Sequence, residues 1–221
     1  MKGVLVMSTM SKLEHIMENK TRREILEILA EKGLVEFAEL AATIKTSQRV
    51  DYHLSFLQSQ GIVERESRGI YRLNPRYVTM VRSKLKVSRP HMLIGGLGKE
   101  ITLYVDLLDA LKYHGYEPSK IIYITSPEVR DEVIKSYGKD KTANTEFIVF
   151  PYVEVLRENI EVLLEASKNL VEKHIYRFEP LIDLTGGTKP TSLALLKVAQ
   201  EYNLKALYFS SRKIIWINKP Y

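Results

Sequence analysis

The 221-residue chain has no cysteine, which excludes disulfides, cysteine-ligated zinc, iron–sulfur clusters and thiol catalysis. Its fold must be held by an apolar core, and a chain of this length can bury one. Long hydrophobic runs are also missing: no stretch approaches the roughly 20 apolar residues needed to cross a bilayer. The opening MKGVLVM is too short for the apolar segment of a secretory signal. No membrane association and a cytoplasmic location are expected. The histidines, His15, His53, His91, His114 and His174, show no HExxH or paired spacing, so no metal site is expected. Hydrophobic residues at 45% and charged residues at 27% are globular proportions and argue against wholesale disorder. The length exceeds one average domain and predicts two compact units.

What is present is unevenly distributed. The net charge is +6, and residues 1–90 carry all of it, because residues 91–221 sum to zero. Residues 65–89 alone hold +7, through Arg65, Arg68, Arg72, Arg76, Arg82, Lys84, Lys86 and Arg89 against Glu66. A localised basic stretch beside a neutral second half suggests contact with a polyanion through one region. A solvated linker would look the same on charge alone.

Residues 1–74 read as short helices followed by a hairpin. Leu13, Ile16 and Met17 mark a first helix. Thr21 and Glu24 fit a capping box opening a second, which Gly33 stops. EFAELAATI makes a third. In KTSQRVDYHLSFLQSQG, Ser47 is the expected N-cap and Val50, Leu54 and Leu57 share one face. Gln48, Arg49, Tyr52 and His53 are expected off that stripe. IVERESRGIYRLN follows as two β-rich runs around Ser67-Arg68-Gly69. Helices and then a basic hairpin is the order of a winged helix-turn-helix. In that reading Gln48, Arg49, Tyr52 and His53 approach the major groove of double-stranded DNA, with Arg65, Arg68 and Arg72 of the wing on its backbone or minor groove. Residues 75–90 read as a basic linker helix, with Val78, Val81 and Leu85 on one side and Pro90 at its end.

From residue 91 the periodicity changes. MLIGGL, IIYIT, EFIVF, LIDLT, ALYFS and IIWIN are short apolar runs, with helical patterns expected over 99–114, 128–137, 153–174 and 190–202. Strands buried on both faces and alternating with helices predict a mostly parallel sheet with right-handed crossovers. The last two runs are separated only by Ser211-Arg212-Lys213 and predict an antiparallel edge hairpin. Residues 91–221 are thus a Rossmann-like α/β domain.

The sharpest local signal is DLTGGTKPTSLALL, residues 183–196. Two glycines permit a tight turn after a buried strand, and Pro190 pre-sets a helix start. The amides of that helix start, the Lys189 ammonium and the Thr188, Thr191 and Ser192 hydroxyls would form an anion site with Gly186 and Gly187. A plain strand–helix connection with capping hydroxyls is the alternative. The segment is not a Walker A loop, because Lys189 follows Thr188 and precedes Pro190. Gly95-Gly96-Leu97-Gly98 is not a dinucleotide fingerprint either. Gly98, Lys99 and Ser126 nonetheless follow strands at the same sheet edge, where ligands of open α/β sheets collect. Tyr123 and Tyr202 read as packing residues.

LIDLTGGTKPTS, the glycine-rich first strand MLIGGLGKE and the strand order with its terminal hairpin resemble the CARF family, CRISPR-associated Rossmann folds that sense cyclic oligoadenylates. The first domain is similar to ArsR-like winged helix-turn-helix proteins. The CARF resemblance implies a homodimer enclosing a cyclic oligoadenylate, most simply cyclic tetraadenylate, in a two-fold pocket. Gly186, Gly187, Thr188 and Lys189 would meet ribose and phosphate, with Gly98, Lys99 and Ser126 lining the remainder. In this chain the winged helix precedes the sensor domain, and GGLGKE has no hydroxyl before Thr102. Two functions follow: a ligand-responsive DNA-binding transcriptional regulator, or a metal-independent ring nuclease with Lys189 stabilising the transition state. A third is a winged-helix protein whose α/β half binds another nucleotide or only dimerises.

Overall fold

The computed structural model describes residues 9–44, 49–100, 102–151 and 159–218. The chain divides into two compact units, Met1–Ser88 and Arg89–Tyr221.

The first unit contains α1 (Thr9–Met17), α2 (Lys20–Lys32), β1 (Leu34–Glu36), α3 (Phe37–Thr43), α4 (Val50–Ser59), β2 (Val63–Ser67), β3 (Ile70–Leu73) and α5 (Pro75–Leu85). Its core gathers Leu13, Ile25, Leu29, Leu40, Leu54 and Leu57, all fully buried. The expected hairpin is β2–β3, turning at Gly69 with φ +79°. A third strand, β1, was not read from the sequence. It pairs antiparallel to β3 and gives the order β1-β3-β2. The second helix opens two residues earlier than the capping box suggested. Asn19 is the N-cap and accepts from the Arg22 amide at 3.1 Å, while Thr21 is buried inside the helix. Gly33 ends it with φ 82° and its amide on the Leu29 carbonyl. Ser47 and Gln48 lie outside the described residues.

Most of the segment read as a linker, 75–90, is a helix over Pro75–Leu85 that packs within this unit. α5 lies against α2, burying Val78, Met80 and Val81. Asn74 caps its start by accepting from the Arg76 amide, and Lys86 ends it in the left-handed region at φ 57°. Arg82, only 1% exposed, donates from Nε to the Ala30 carbonyl at 3.3 Å. One of the basic residues counted toward a solvated or DNA-facing stretch is therefore a core residue.

The second unit is the predicted mixed α/β fold. Its strands are β4 (His91–Gly96), β5 (Pro118–Thr125), β6 (Thr145–Val149), β7 (Glu179–Asp183), β8 (Lys205–Ser210) and β9 (Lys213–Asn218). They form one sheet in the order β6-β5-β4-β7-β8-β9, parallel except for the β8–β9 hairpin. β4 and β7 are buried almost along their whole length and β5 from Ile121 onward, as their unbroken apolar runs require, whereas β9 alternates outward and inward as an edge strand should.

α6 (Thr102–Tyr113) and α7 (Pro127–Lys141) cover one face through Leu107, Leu111, Val129 and Val133 over Leu93, Tyr123 and Leu181. α8 (Ile160–His174) and α9 (Lys189–Glu201) pack on each other, and α9 lies on β4, β7 and β8. α7 kinks at Gly138, φ 76° and ψ 162°, immediately after the expected helix end. Residues 152–158, the start of the pattern read over 153–174, are outside the description.

This order fixes where a ligand can enter. From β4 the chain moves outward through β5 to β6, then returns to the opposite side of β4 as β7. The connections leaving the carboxyl ends of β4 and β7 diverge there, which opens a crevice at a topological switch point.

Candidate functional site

Two glycine-bearing loops meet in that crevice, one after β4 and one after β7. Their approach is backbone against backbone. A methyl group on Gly186 would stand 2.5 Å from the Gly96 carbonyl oxygen, and one on Gly187 2.9 Å from Gly96 Cα. A methyl on Gly96 would in turn meet Thr191 Cγ2 at 2.9 Å and the Gly186 oxygen at 3.0 Å. Gly187 has φ +80°, a region that side chains rarely adopt. The glycines thus let the two strand tips touch.

Hydrogen bonds hold the second loop in shape. The Thr185 amide donates to Asp183 Oδ1 at 2.8 Å, and Thr185 Oγ1 accepts from the Phe209 amide at 2.8 Å. Thr188 is the N-cap of α9: its Oγ1 accepts from the Thr191 amide at 3.4 Å and lies 2.9 Å from Thr191 Oγ1. The Ser192 hydroxyl is within reach of the Leu184, Gly186 and Thr188 carbonyls. Thr191, fully buried, and Ser192 therefore brace the loop from behind. Just after β5, the buried Ser126 caps α7 by accepting from the Val129 amide. It also hydrogen-bonds Glu128, holding that carboxyl below its usual range.

Two cavities flank the loop contact. The larger, about 320 Å³, lies between the β4 loop and α6, with Gly98, Lys99, Gly186 and Gly187 in its wall. The smaller, about 100 Å³, is lined by Ser126, Thr188 and Thr191, and shares Gly98, Lys99 and Gly187 with the first. The predicted ligand residues are thus brought together, with two exceptions. Ser192 faces the loop backbone, and Lys189 is exposed at the first turn of α9, outside the lining of both cavities. The lysine common to both is Lys99.

Asp183 was missed. It is 2% exposed at the end of β7, lines the larger cavity, and burial pushes its carboxyl up to about 6 against the pull of the Thr185 hydrogen bonds. An acidic residue inside LIDLT, otherwise an apolar run, was the signal available.

In the first unit, Tyr52 is 58% exposed on α4, and Arg49 is exposed with NH2 3.4 Å from Asp51. His53 is a correction. It is 6% exposed rather than facing solvent, and burial with the nearby Arg22 charge lowers its pKa. Residue 53 adjoins Leu54 on the inward arc, which is wider than the three-residue stripe suggested. Arg65 and Arg68 are exposed on the wing. Arg72 instead bridges Glu64 at 3.4 Å and Glu66 at 2.9 Å across the hairpin.

A winged helix-turn-helix unit followed in the chain by a mostly parallel α/β sheet with a glycine-lined crevice defines the class of architecture. Residues 107–219 match the Card1 CARF domain and residues 19–65 the bacterial regulatory proteins of the arsR family. The chain belongs to the Card1 CARF domain family. No curated protein sequence matches it. Among solved structures it is similar to Can2 from Sulfobacillus thermosulfidooxidans, in complex with cyclic tetra-adenylate, at 13% identity and TM-score 0.45, covering 59% of this chain and 36% of that one. Protein VC1899 from Vibrio cholerae aligns at 20% identity and TM-score 0.46, covering 57% and 33%. Enterococcus italicus Csm6, bound to cyclic hexa-2'-fluoro-hexa-dAMP, aligns at 12% and 0.39, covering 56% and 35%. The chain spans about a third of the length of each of these proteins. Among the described residues no helix is long and apolar enough to cross a membrane, and no cluster of three metal-ligating side chains occurs.

Proposed function

We propose that the protein is a cyclic oligoadenylate-sensing, DNA-binding transcriptional regulator that acts as a homodimer. The observation that carries this reading is the pair of mutually packed glycine loops at the switch point of a CARF-family sheet, with cavities on either side and Lys99 in both. Phosphates of the ring would lie along the Gly98–Gly187 contact, near Lys99 and the amides that open α9. A symmetric tetraadenylate would take half of its contacts from each protomer. Double-stranded DNA would meet Tyr52 and Arg49 of α4 and Arg65 and Arg68 of the wing. The ligand can switch the dimer only by favouring one spacing of the two winged helices over another.

The ring nuclease is the second reading, and the paired state of the basic residues favours it. Arg72 is neutralised by Glu64 and Glu66, Arg49 lies beside Asp51, and His53 is turned inward. That leaves a thin cationic face for a duplex. In this reading a ribose 2′-oxygen attacks its own phosphate. The bond to the leaving 5′-oxygen breaks, and that oxygen takes the proton, leaving a 2′,3′-cyclic phosphate. Lys99 or Lys189 would stabilise the added charge.

Incubation of the pure protein with labelled cyclic tetraadenylate, followed by DNA retardation with and without it, separates the readings. Retention intact with a changed DNA affinity supports the regulator; linear products support the nuclease. Indifference to the compound would overturn both.

A further inference from the structure

We propose that the larger cavity seats one aminopurine base, with the Asp183 carboxyl accepting the hydrogen bond of its exocyclic amine. The proposal rests on the oligoadenylate reading above and names the group that selects the base.

The first argument is size. A cavity of about 320 Å³ has room for a purine with its amine. The second is the division of chemistry between the two cavities. The larger is lined by Leu97, Leu103, Leu107 and Tyr123 together with the buried Asp183, with Thr185, Lys99 and Glu100 as its other polar residues. A buried carboxyl beside a phosphate would repel it, so the phosphates belong at the smaller cavity, with Lys99 and the hydroxyls of Thr188 and Ser126. Apolar walls with a few polar groups among them are instead what a flat heterocycle requires.

The third argument is orientation. Gly95 stands in register with Tyr123 on one side and Asp183 on the other. A methyl on Gly95 would lie 2.8 Å from the tyrosine ring and 2.9 Å from Asp183 Oδ2, so the glycine leaves room for both to share one level of the sheet. Asp183 Oδ1 is held by the Thr185 amide, which fixes the carboxyl plane. The ionised carboxyl is acceptor-only and takes the hydrogen bond of an amine. An oxo group at the same ring position would bring acceptor to acceptor and leave a buried group unsatisfied.

The test is calorimetric titration of the full-length protein with cyclic tetraadenylate and with its inosine counterpart, in which an oxo group replaces each amine. The unmodified protein should prefer the adenine ring by on the order of ten- to a hundredfold. Asp183→Asn, whose amide can donate to an oxo group, should bring the two affinities to within about threefold while thermal melting shows the fold intact. Equal affinity of the unmodified protein for both rings would overturn the proposal whatever the variant does, and so would full preference retained in a folded Asp183→Asn. Binding of neither ring would instead refute the oligoadenylate reading, and the base assignment with it.

Discussion

Replacing Gly187 by alanine separates the two reasons a glycine stands there. Its φ of +80° strains any side chain, and its Cβ would press on Gly96 Cα at 2.9 Å. Gly115, at the end of α6, has nearly the same φ, +79°, but nothing within 4 Å of the added methyl. Both substitutions carry the left-handed penalty of roughly 1–2 kcal/mol. Only Gly187→Ala adds an overpacking term, and its neighbour is backbone that cannot rotate away, so a further 1–3 kcal/mol or so is expected. The sole tryptophan, Trp216 on β9, stacks obliquely on Tyr116 at 5.2 Å and reports unfolding of this unit alone. Urea denaturation followed by its fluorescence should put the midpoint of Gly187→Ala well below that of Gly115→Ala at an unchanged slope. Ligand binding should be lost only in Gly187→Ala. Coincident denaturation curves for the two variants would refute the claim that the strand tips are in contact.

Other outcomes follow from the same geometry. Asp183 is held at about 6 in the folded protein against an ordinary 3.8. The folded state therefore binds the proton more tightly, and stability falls as pH rises from about 4 to 6, by up to about 3 kcal/mol. Asp183→Asn should abolish that slope in urea titrations and be the more stable form at pH 7. Lys99→Ala should weaken cyclic tetraadenylate binding by roughly 1–3 kcal/mol as a lost charge-assisted contact, with a smaller loss for Lys189→Ala, by calorimetry. Arg68→Ala should weaken duplex binding at all sequences and flatten its salt dependence by about one unit of slope in anisotropy titrations. Arg72→Ala should affect the salt slope less, because Glu64 and Glu66 already neutralise it.

The strands of the sheet were legible because they are buried on both faces and so appear as unbroken apolar runs. The edge hairpin was legible because three residues cannot cross over a sheet. β1 was not, because a three-residue strand with only Val35 directed inward leaves no periodicity to read. Lys189 and Ser192 carry the right chemistry on the right loop, but which way a side chain leaves a helix start is decided by packing. Gly186 was read as freedom for the chain and Gly96 only within a fingerprint that does not match; that each excludes a methyl for the sake of the other is visible only when residues 90 positions apart are brought together. Arg82 looked like surface charge and is core, because its stem fills the α2–α5 contact while its head finds the Ala30 carbonyl.

The abutting tips of β4 and β7 bear on how this region can vary over time. With main chain touching main chain there is no side chain to trade for a smaller one, so an enlargement on either loop has no single partner that can compensate by shrinking. Drift at these positions must move both loops at once or not occur, whereas Lys99 and Lys189, whose heads are not wedged, remain free to be exchanged as the guest changes.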